Sequence, residues 1–478
     1  MKKVKAKSLE AVHTHTHTHT HTYNLDNERG ITLVALVVTI VVLLILAGIS
    51  ISLVLGQNGL ITQAQEAKRK TQESYENETN SMNFIENEIK NSVYSNDPNP
   101  GKLEGSGTKE DPYVVNSAED FIFLQYDVTN GNTYDGKIIK LDHDIDFNAN
   151  NAYVNPNSLD YKKYGYNGEI KKYIHENGIS PIGITNYTDD DFRNSHSFKG
   201  ELDGNGKTIS NLKMNCNQNN TGYNAYGLFA YCLGNIHDLY IENCDYNIKI
   251  ASNKFMGIGI LVGTLGAEGK ITNCHVSGNM NVYSGTENNI GGIVGANCGE
   301  VSNCYSSANI KSVFFDSKES NPAQRCGGLA GVNEATGNIK NCYFNGTFEI
   351  TQNEESSSRR FRTYVGGVCG YNLNEIDNVY NVGTIKETDK ENKAILIGGS
   401  IGTDWNGTGK EVNVCYYLEN CILISTENGR TISTLGESKT EEYLKSDEFI
   451  NELNSKYNGI WKKDTKNINN GYPILNWQ

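Results

Sequence analysis

Residues 291–310 read GGIVGANCGEVSNCYSSANI, and this stretch decides the fold because close copies follow it. Residues 327–350 read GGLAGVNEATGNIKNCYFNGTFEI, and residues 366–385 read GGVCGYNLNEIDNVYNVGTI. Glycine-rich starts at Gly259 and Gly398 extend the series, with a period of 32 to 39 residues. A fixed start followed by loops of variable length is typical of a solenoid rather than of a single globule.

Each unit alternates apolar and polar residues after an Asn-Cys or Asn-Val pair, as from Cys304 to Ile310. A period of two predicts a strand with one buried side. The apolar residues before each pair are out of phase with the alternation that follows it. A bend at the asparagine would therefore keep the apolar residues on both sides of the bend pointing inward. Asparagine tolerates the left-handed backbone that such a bend needs. The predicted corners are Asn243, Asn273, Asn303, Asn341 and Asn378. The pattern therefore predicts a mainly β protein, a right-handed parallel β-helix.

Stacked turns would align the residues that follow these asparagines in one inward column. The predicted column contains Cys244, Cys274, Cys304, Cys342 and Val379. We interpret it as hydrophobic core, because cysteine is among the most buried residue types. Disulfides between turns and a metal site are the alternatives, although the spacing lacks the paired cysteines of a zinc site.

These units resemble the GLUG-motif repeats of bacterial surface proteins, and the resemblance extends over most of the stretch from Gly107 to Trp477. It implies a GLUG-like β-helix with an N-terminal cap over residues 107–435 and a C-terminal capping segment over 436–478. Ser117 with an acidic first turn predicts a capped helix near the start of the solenoid.

Residues 31–55, ITLVALVVTIVVLLILAGISISLVL, carry no charge over 25 positions. As a helix they would span about 37 Å, which exceeds the roughly 30 Å of bilayer hydrocarbon. We expect a leader over residues 1–30, a long N-terminal transmembrane and polar stalk α-helix over 31–94, and a linker over 95–106. A cleaved secretory signal is the weaker alternative.

The run Arg29-Gly-Ile-Thr-Leu-Val34 before this apolar segment resembles the N-terminal signal of type IV prepilins and pseudopilins. The resemblance implies cleavage after Gly30 and N-methylation of Ile31 by a prepilin peptidase. Ala35 stands where the family places a glutamate that registers subunits in the filament. This difference favours a tip or minor subunit, or a simple membrane anchor.

The tract HTHTHTHTHT over residues 13–22 has two interpretations. Alternating histidines on an extended segment can bind metal, or the tract is a low-complexity expansion within the leader. We favour the second interpretation.

Composition excludes some classes of function. The net charge of −14 and the absence of a basic stripe predict no nucleic-acid partner. Asp142, Asp144 and Asp146 alternate, and residues 189–191 are acidic with His196 nearby. We interpret these groups as solvated strand and turn residues rather than as calcium or catalytic carboxylates. Since no nucleophile, base and orienting group can be assigned, we expect no enzyme, no catalytic residues, no metal site and no cofactor.

These observations together predict a single-pass protein of the bacterial cell membrane with its C-terminal domain outside the cell. Its solenoid would serve adhesion or ligand binding, with a glycan or a host protein as the ligand. Pilus or secretion-system subunits are the expected partners besides the peptidase. The alternatives are a membrane-tethered carbohydrate-active enzyme, a polysaccharide lyase or hydrolase, and a minor structural pilin or pseudopilin.

Overall fold

The computed structural model describes residues 103–148, 178–183, 186–187, 194–218, 223–250, 256–285, 287–314, 323–352, 362–388, 395–404, 412–424 and 430–478. No helix within these ranges is long and apolar enough to cross a membrane. The predicted leader, membrane helix and stalk lie outside them, as do the processing pair Gly30 and Ile31.

Most strands belong to three sheets, which the turns between residues 223 and 424 visit in the same order. The first face contains Tyr223–Tyr226, Met256–Gly259, Asn288–Gly291, Ala323–Gly327, Arg362–Gly366, Ile395–Gly398 and Arg430–Ile432, with Asn186–Tyr187 antiparallel at its edge. The second face contains Phe229–Cys232, Val262–Leu265, Val294–Asn297, Ala330–Asn333, Cys369–Asn372 and Ile401–Asp404.

The third and largest sheet is called the long face here. It contains Tyr113–Val115, Ile138–Leu141, Ile145–Asp146, Glu201–Ser210, Lys213–Gln218, Asn235–Ile250, Lys270–Thr272, His275–Ser284, Glu300–Ser302, Tyr305–Ser306, Asn309–Phe314, Asn338–Phe344, Thr347–Gln352, Ile376–Asn381, Thr384–Glu387, Val412–Leu418, Ile422–Ile424 and Glu437–Lys439. The helices are α1 (Ala118–Thr129), α2 (Glu441–Leu444) and α3 (Asp447–Lys456), and Trp461–Lys462 forms an antiparallel hairpin with Ile474–Leu475.

The predicted mainly β architecture with parallel turns is confirmed as a β-solenoid of about 5 turns. Equivalent residues of successive turns lie opposite each other: Met280 pairs with Ile310, Ile310 with Phe348, and Phe348 with Ile385. All four side chains are buried. The alternation of the sequence therefore becomes columns of like residues inside the solenoid.

The asparagine corners are confirmed by backbone geometry. Asn273, Asn303 and Asn341 each have φ of 53°, and Asn378 has φ of 57°. Asn243 is also left-handed, but it lies one bend further along its turn, since Cys244 pairs with Gly278. Asp238, with φ of 52°, takes the corner position in that turn.

The cysteine column is therefore confirmed for Cys274, Cys304 and Cys342 and wrong for Cys244. The backbone N–H of Cys274 donates to Cys304 Sγ at 3.3 Å, and that of Cys304 donates to Cys342 Sγ at 3.4 Å. All three are buried thiols. They act as core, as the sequence analysis favoured.

The glycines of the GG-x-x-G motif let the first and second faces approach closely. A Cβ added at Gly295 would overlap the backbone nitrogen of Ile258 on the first face. Side chains larger than hydrogen cannot fit between two backbones at this separation. The motif therefore encodes a contact between sheets.

Helix α1 begins at the predicted cap, because Ser117 accepts a hydrogen bond from the backbone N–H of Asp120 at 3.2 Å. At the other end, Glu437–Lys439 pairs with Val412–Leu418 as the last strand of the long face. Residues 441–478 then pack on the outside of that face, where Phe449, Leu453 and Trp461 bury its tyrosines.

Candidate functional site

A ladder of aromatic rings runs along the outside of the long face. It is built by the residue that follows the inward cysteine or valine in each turn, so parallel pairing stacks one ring on the next. His275 stacks on Tyr305 with ring centroids 4.1 Å apart, Tyr305 on Tyr343 at 4.8 Å, and Tyr343 on Tyr380 at 5.1 Å. Their spacing is close to the separation of neighbouring strands.

Trp477 packs beside this ladder and forms the wall of a cleft. Its ring meets Tyr240 edge to face with centroids 5.4 Å apart, and its Nε1 donates to the carbonyl of Asn303 at 3.0 Å. The cleft has a volume of about 390 Å³. It is lined by Asp203, Asn205, Gly206, His237, Asp238, Tyr240 and Trp477.

His237 lies among three carboxylates at this cleft. Its Nδ1 is 2.8 Å from Asp238 Oδ2 and 3.8 Å from Asp203 Oδ1, and its Nε2 is 3.4 Å from Glu201 Oε1. Lys140 is paired with Asp203 at 3.9 Å. The residues come from neighbouring strands of the long face, where Asp203 pairs directly with His237 and Glu201 pairs with Asn235.

The electrostatics of the group favour a positive charge at its centre. Burial opposes protonation of His237, but its hydrogen bonds to Asp238 and Glu201 and the charge of Asp203 outweigh burial and raise its pKa. Burial, with the charges of Glu242 and Asp238, raises the pKa of Tyr240, so its hydroxyl stays protonated at neutral pH.

Within the described ranges, Asp203, His237 and Asp238 form a group of side chains able to hold a metal ion, with one ligand atom from each lying within 4.8 Å of the others. The same carboxylates can accept hydrogen bonds from hydroxyl groups. Trp477 and Tyr240 supply apolar ring surface beside them.

The acidic residues weighed in the sequence analysis lie elsewhere. Asp144 accepts a hydrogen bond from the backbone N–H of Thr208 at 2.9 Å, and Asp146 accepts one from Asn211 at 2.6 Å. Both side chains, and Asp142, are exposed at a turn and strand edge, so turn chemistry explains them. His196 bonds to Ser195 at 2.9 Å. Residues 189–191 and the His-Thr tract lie outside the described residues.

Sequence reasoning missed His237, Asp238, Tyr240 and Trp477. The available signal was the pair His237-Asp238 itself, which stands where the next three turns carry Thr272-Asn273, Ser302-Asn303 and Lys340-Asn341. Assigning the corner of this turn to Asn243 concealed that substitution.

Comparison with known proteins gives three likenesses. The model of the GLUG motif matches residues 323–351 and 362–386. Halomucin of Haloquadratum walsbyi is 30% identical over 198 residues, which is 41% of this chain, and the chain spans 2% of the length of halomucin. A solved structure from Bacteroides ovatus, described as a "putative immunoglobulin A1 protease", matches with a TM-score of 0.50 and 20% identity over 78% of this chain and 95% of that one.

The expectation that the chain is no enzyme is corrected by the last of these likenesses. A protein described as a protease shares this fold. Missing local motifs do not exclude an enzyme, because a solenoid can bring together residues of separate turns, as it brings Asp203 to His237.

The comparison and the fold agree on one conclusion. This chain carries GLUG motif repeats, and they form turns of a parallel β-solenoid.

Proposed function

We propose that this chain is a cell-surface protein whose solenoid binds an extracellular glycan. One observation carries the proposal: Trp477 and Tyr240 form an aromatic wall directly beside Asp203, Asn205 and Asp238 in an open cleft. Aromatic rings with a polar edge suit ligands that have apolar and hydroxylated sides. Carboxylate and amide oxygens accept hydrogen bonds from sugar hydroxyls.

The construction of the wall supports a binding role. Trp477 is fixed by the hydrogen bond to Asn303 and by its contacts with Tyr240 and Tyr305, with centroids 5.8 Å apart for the latter. Little side-chain freedom is therefore lost when a ligand binds, which favours affinity.

The placement of the protein rests on its N-terminal sequence. The uncharged residues 31–55 anchor it in the bacterial membrane, and Gly30 and Ile31 form the junction that a prepilin peptidase cuts. The solenoid then lies outside the cell, alone or as a minor subunit of a pilus or secretion system. Sequencing the mature N-terminus tests this step: methylated Ile31 is expected, and an intact Met1 contradicts processing.

A second candidate function is hydrolysis of the bound ligand. It is favoured by the carboxylates of Asp203 and Asp238, which line one cleft, because glycoside hydrolysis uses paired carboxylates. The fold shared with a protein described as a protease is compatible with this candidate.

Binding is tested by screening the full chain against an array of bacterial and animal glycans, followed by calorimetry with the strongest ligand. Asp203→Asn and Trp477→Ala should each weaken binding by more than about tenfold. Tyr283→Ala is the matched control, since Tyr283 is 40% exposed on the long face away from the cleft. Unchanged affinity in folded Asp203→Asn and Trp477→Ala would contradict the proposal. Release of shortened sugars would favour the second candidate.

A further inference from the structure

We propose that Asp203, His237 and Asp238 bind a divalent first-row transition metal ion, with Zn²⁺ as the representative ion. This proposal stands apart from glycan binding and needs no glycan for its test. Imidazole nitrogen and carboxylate oxygen are ligands that zinc takes in proteins.

The distances between the candidate ligand atoms fit such an ion. Zinc bonds of about 2.0–2.2 Å in a tetrahedral site place the ligand atoms about 3.3–3.6 Å apart. His237 Nδ1 lies 2.8 Å from Asp238 Oδ2 and 3.8 Å from Asp203 Oδ1, which brackets this range. Zinc would replace the proton shared between His237 Nδ1 and Asp238 Oδ2, which is released to solvent, and small side-chain rotations would then form the site.

The repeats supply an internal comparison. At the position that pairs with His237 from turn to turn, the next three turns carry Thr272, Ser302 and Lys340. At the corner of Asp238 the same turns carry asparagine in the same left-handed backbone. Among the described turns, only this one places a histidine directly before an aspartate at these columns. The fold does not require either substitution, because the neighbouring turns form without them.

The charge balance supports a cation. Glu201, Asp203 and Asp238 surround one imidazole, and Lys140 reaches only Asp203, at 3.9 Å. An ion among them would offset the repulsion of the carboxylates, an effect that is stronger at a half-buried site than in bulk water.

The second carboxylate oxygen of Asp238 is already oriented. Asn273 Nδ2 of the next turn donates to Asp238 Oδ1 at 2.8 Å, which leaves Oδ2 directed to His237. A hydrogen bond that orients a ligating carboxylate is a usual support of metal sites. The cleft at Trp477 gives the ion a route from solvent.

The test is equilibrium dialysis of the full chain against Zn²⁺ with metal quantification, combined with thermal melting. Asp238→Asn and His237→Thr copy the residues of the next turn, Asn273 and Thr272, so both variants should fold. The wild type should bind one more zinc ion than either variant, or bind it more than about tenfold more tightly. Asp142→Asn is the control, because that exposed carboxylate lies outside the cleft.

The His-Thr tract of residues 13–22 is present in every variant, so only the difference between proteins is informative. Added zinc should raise the Tm of the wild type and of Asp142→Asn, and raise it less in the two site variants. Trp477→Ala should keep the extra zinc while losing glycan, which separates the two proposals. Equal zinc stoichiometry and equal Tm shifts in the wild type, Asp238→Asn and His237→Thr would overturn the metal site.

Discussion

Asn273 and Asp238 occupy the same corner of successive turns, and the amide of Asn273 donates to the carboxylate of Asp238 at 2.8 Å. Their φ angles are 53° and 52°. The corner thus has a backbone requirement, met by asparagine, by aspartate and, at Val414 with φ of 41°, by valine. It also has a chemical option, a histidine-aspartate pair, which only one of the described turns carries. The left-handed backbone of the corner therefore belongs to the solenoid scaffold, whereas the carboxylate of Asp238 is available to a ligand.

The backbone requirement can be measured at Asn341, a buried corner with φ of 53°. Asn341→Ala should destabilise the protein by about 1–2 kcal/mol through left-handed strain alone, and by more because its Oδ1 accepts from Asn378 Nδ2 at 2.5 Å. Asn341→Gly removes the strain and should cost less. Urea unfolding of both variants measures the difference.

Asn309 provides the control for that ranking, since it is exposed on a strand with no positive φ. There glycine should be worse than alanine, because glycine loses more backbone freedom on folding where no positive φ is needed. The same ranking at both positions would contradict the corner assignment.

The aromatic ladder should carry much of the stability of the C-terminal segment. Tyr343 is fully buried between Tyr305 and Tyr380. Tyr343→Ala should cost about 3–5 kcal/mol. Tyr343→Phe keeps the stack and loses the contacts of the hydroxyl with the Gln478 amide, which are 3.0 Å from Nε2 and 3.3 Å to Oε1. This should cost about 0.5–1.5 kcal/mol for each hydrogen bond lost. Chemical denaturation measures the free energy of unfolding of both variants. Equal losses in Tyr343→Ala and Tyr343→Phe would show that the stacked ring contributes nothing to stability.

The buried thiols predict instability in alkali. Burial raises the pKa of Cys326 from 9.0 to about 12. Burial has the same effect on Cys232, Cys369 and Cys415. Between about pH 9 and 12 the unfolded thiols ionise while the folded ones stay protonated, so the unfolded state binds fewer protons. The free energy of unfolding therefore falls as pH rises, by up to about 1.4 kcal/mol per pH unit for each thiol.

Melting curves with a reductant at about pH 8 and about pH 10.5 measure this loss. Cys326→Ala removes one of the titrating groups, so its Tm should fall less over the same interval. An identical decrease in the wild type and the variant would contradict the assigned burial of Cys326.

The close approach of the first and second faces predicts that Gly295 tolerates no side chain. Gly295→Ala would push a methyl group against the backbone of Ile258, and overpacking costs about 1–3 kcal/mol or more. Ala296→Gly, at the next residue of the same strand, is the comparison, since it removes a methyl group instead of adding one. A Tm of Gly295→Ala equal to that of the wild type would refute the contact.

Much of the scaffold was predictable from the residues alone. The left-handed corners at Asn273, Asn303 and Asn341, the inward alternation around Ile310 and the cap at Ser117 all follow from local rules. These features depend on one strand or one turn at a time, and repetition makes each of them visible several times.

The candidate site was not predictable, because its parts are distant in the chain. Asp203 and His237 meet through strand pairing across 34 positions, and Trp477 reaches Tyr240 from the last residues of the sequence. No local pattern in the sequence predicts that the C-terminal segment packs back against Tyr240. That Cys244 lies outside the cysteine column also became visible only from its pairing with Gly278 of the neighbouring turn.

The sequence by itself determined the parallel solenoid, since periodic alternation, corner asparagines and paired glycines restrict the backbone locally in every turn. Only the tertiary structure decided that the C-terminal segment lies on the long face and that one imidazole sits among three carboxylates. The physical reason is that stacking of turns and burial of aromatic rings bring together residues whose separation along the chain carries no periodic signal.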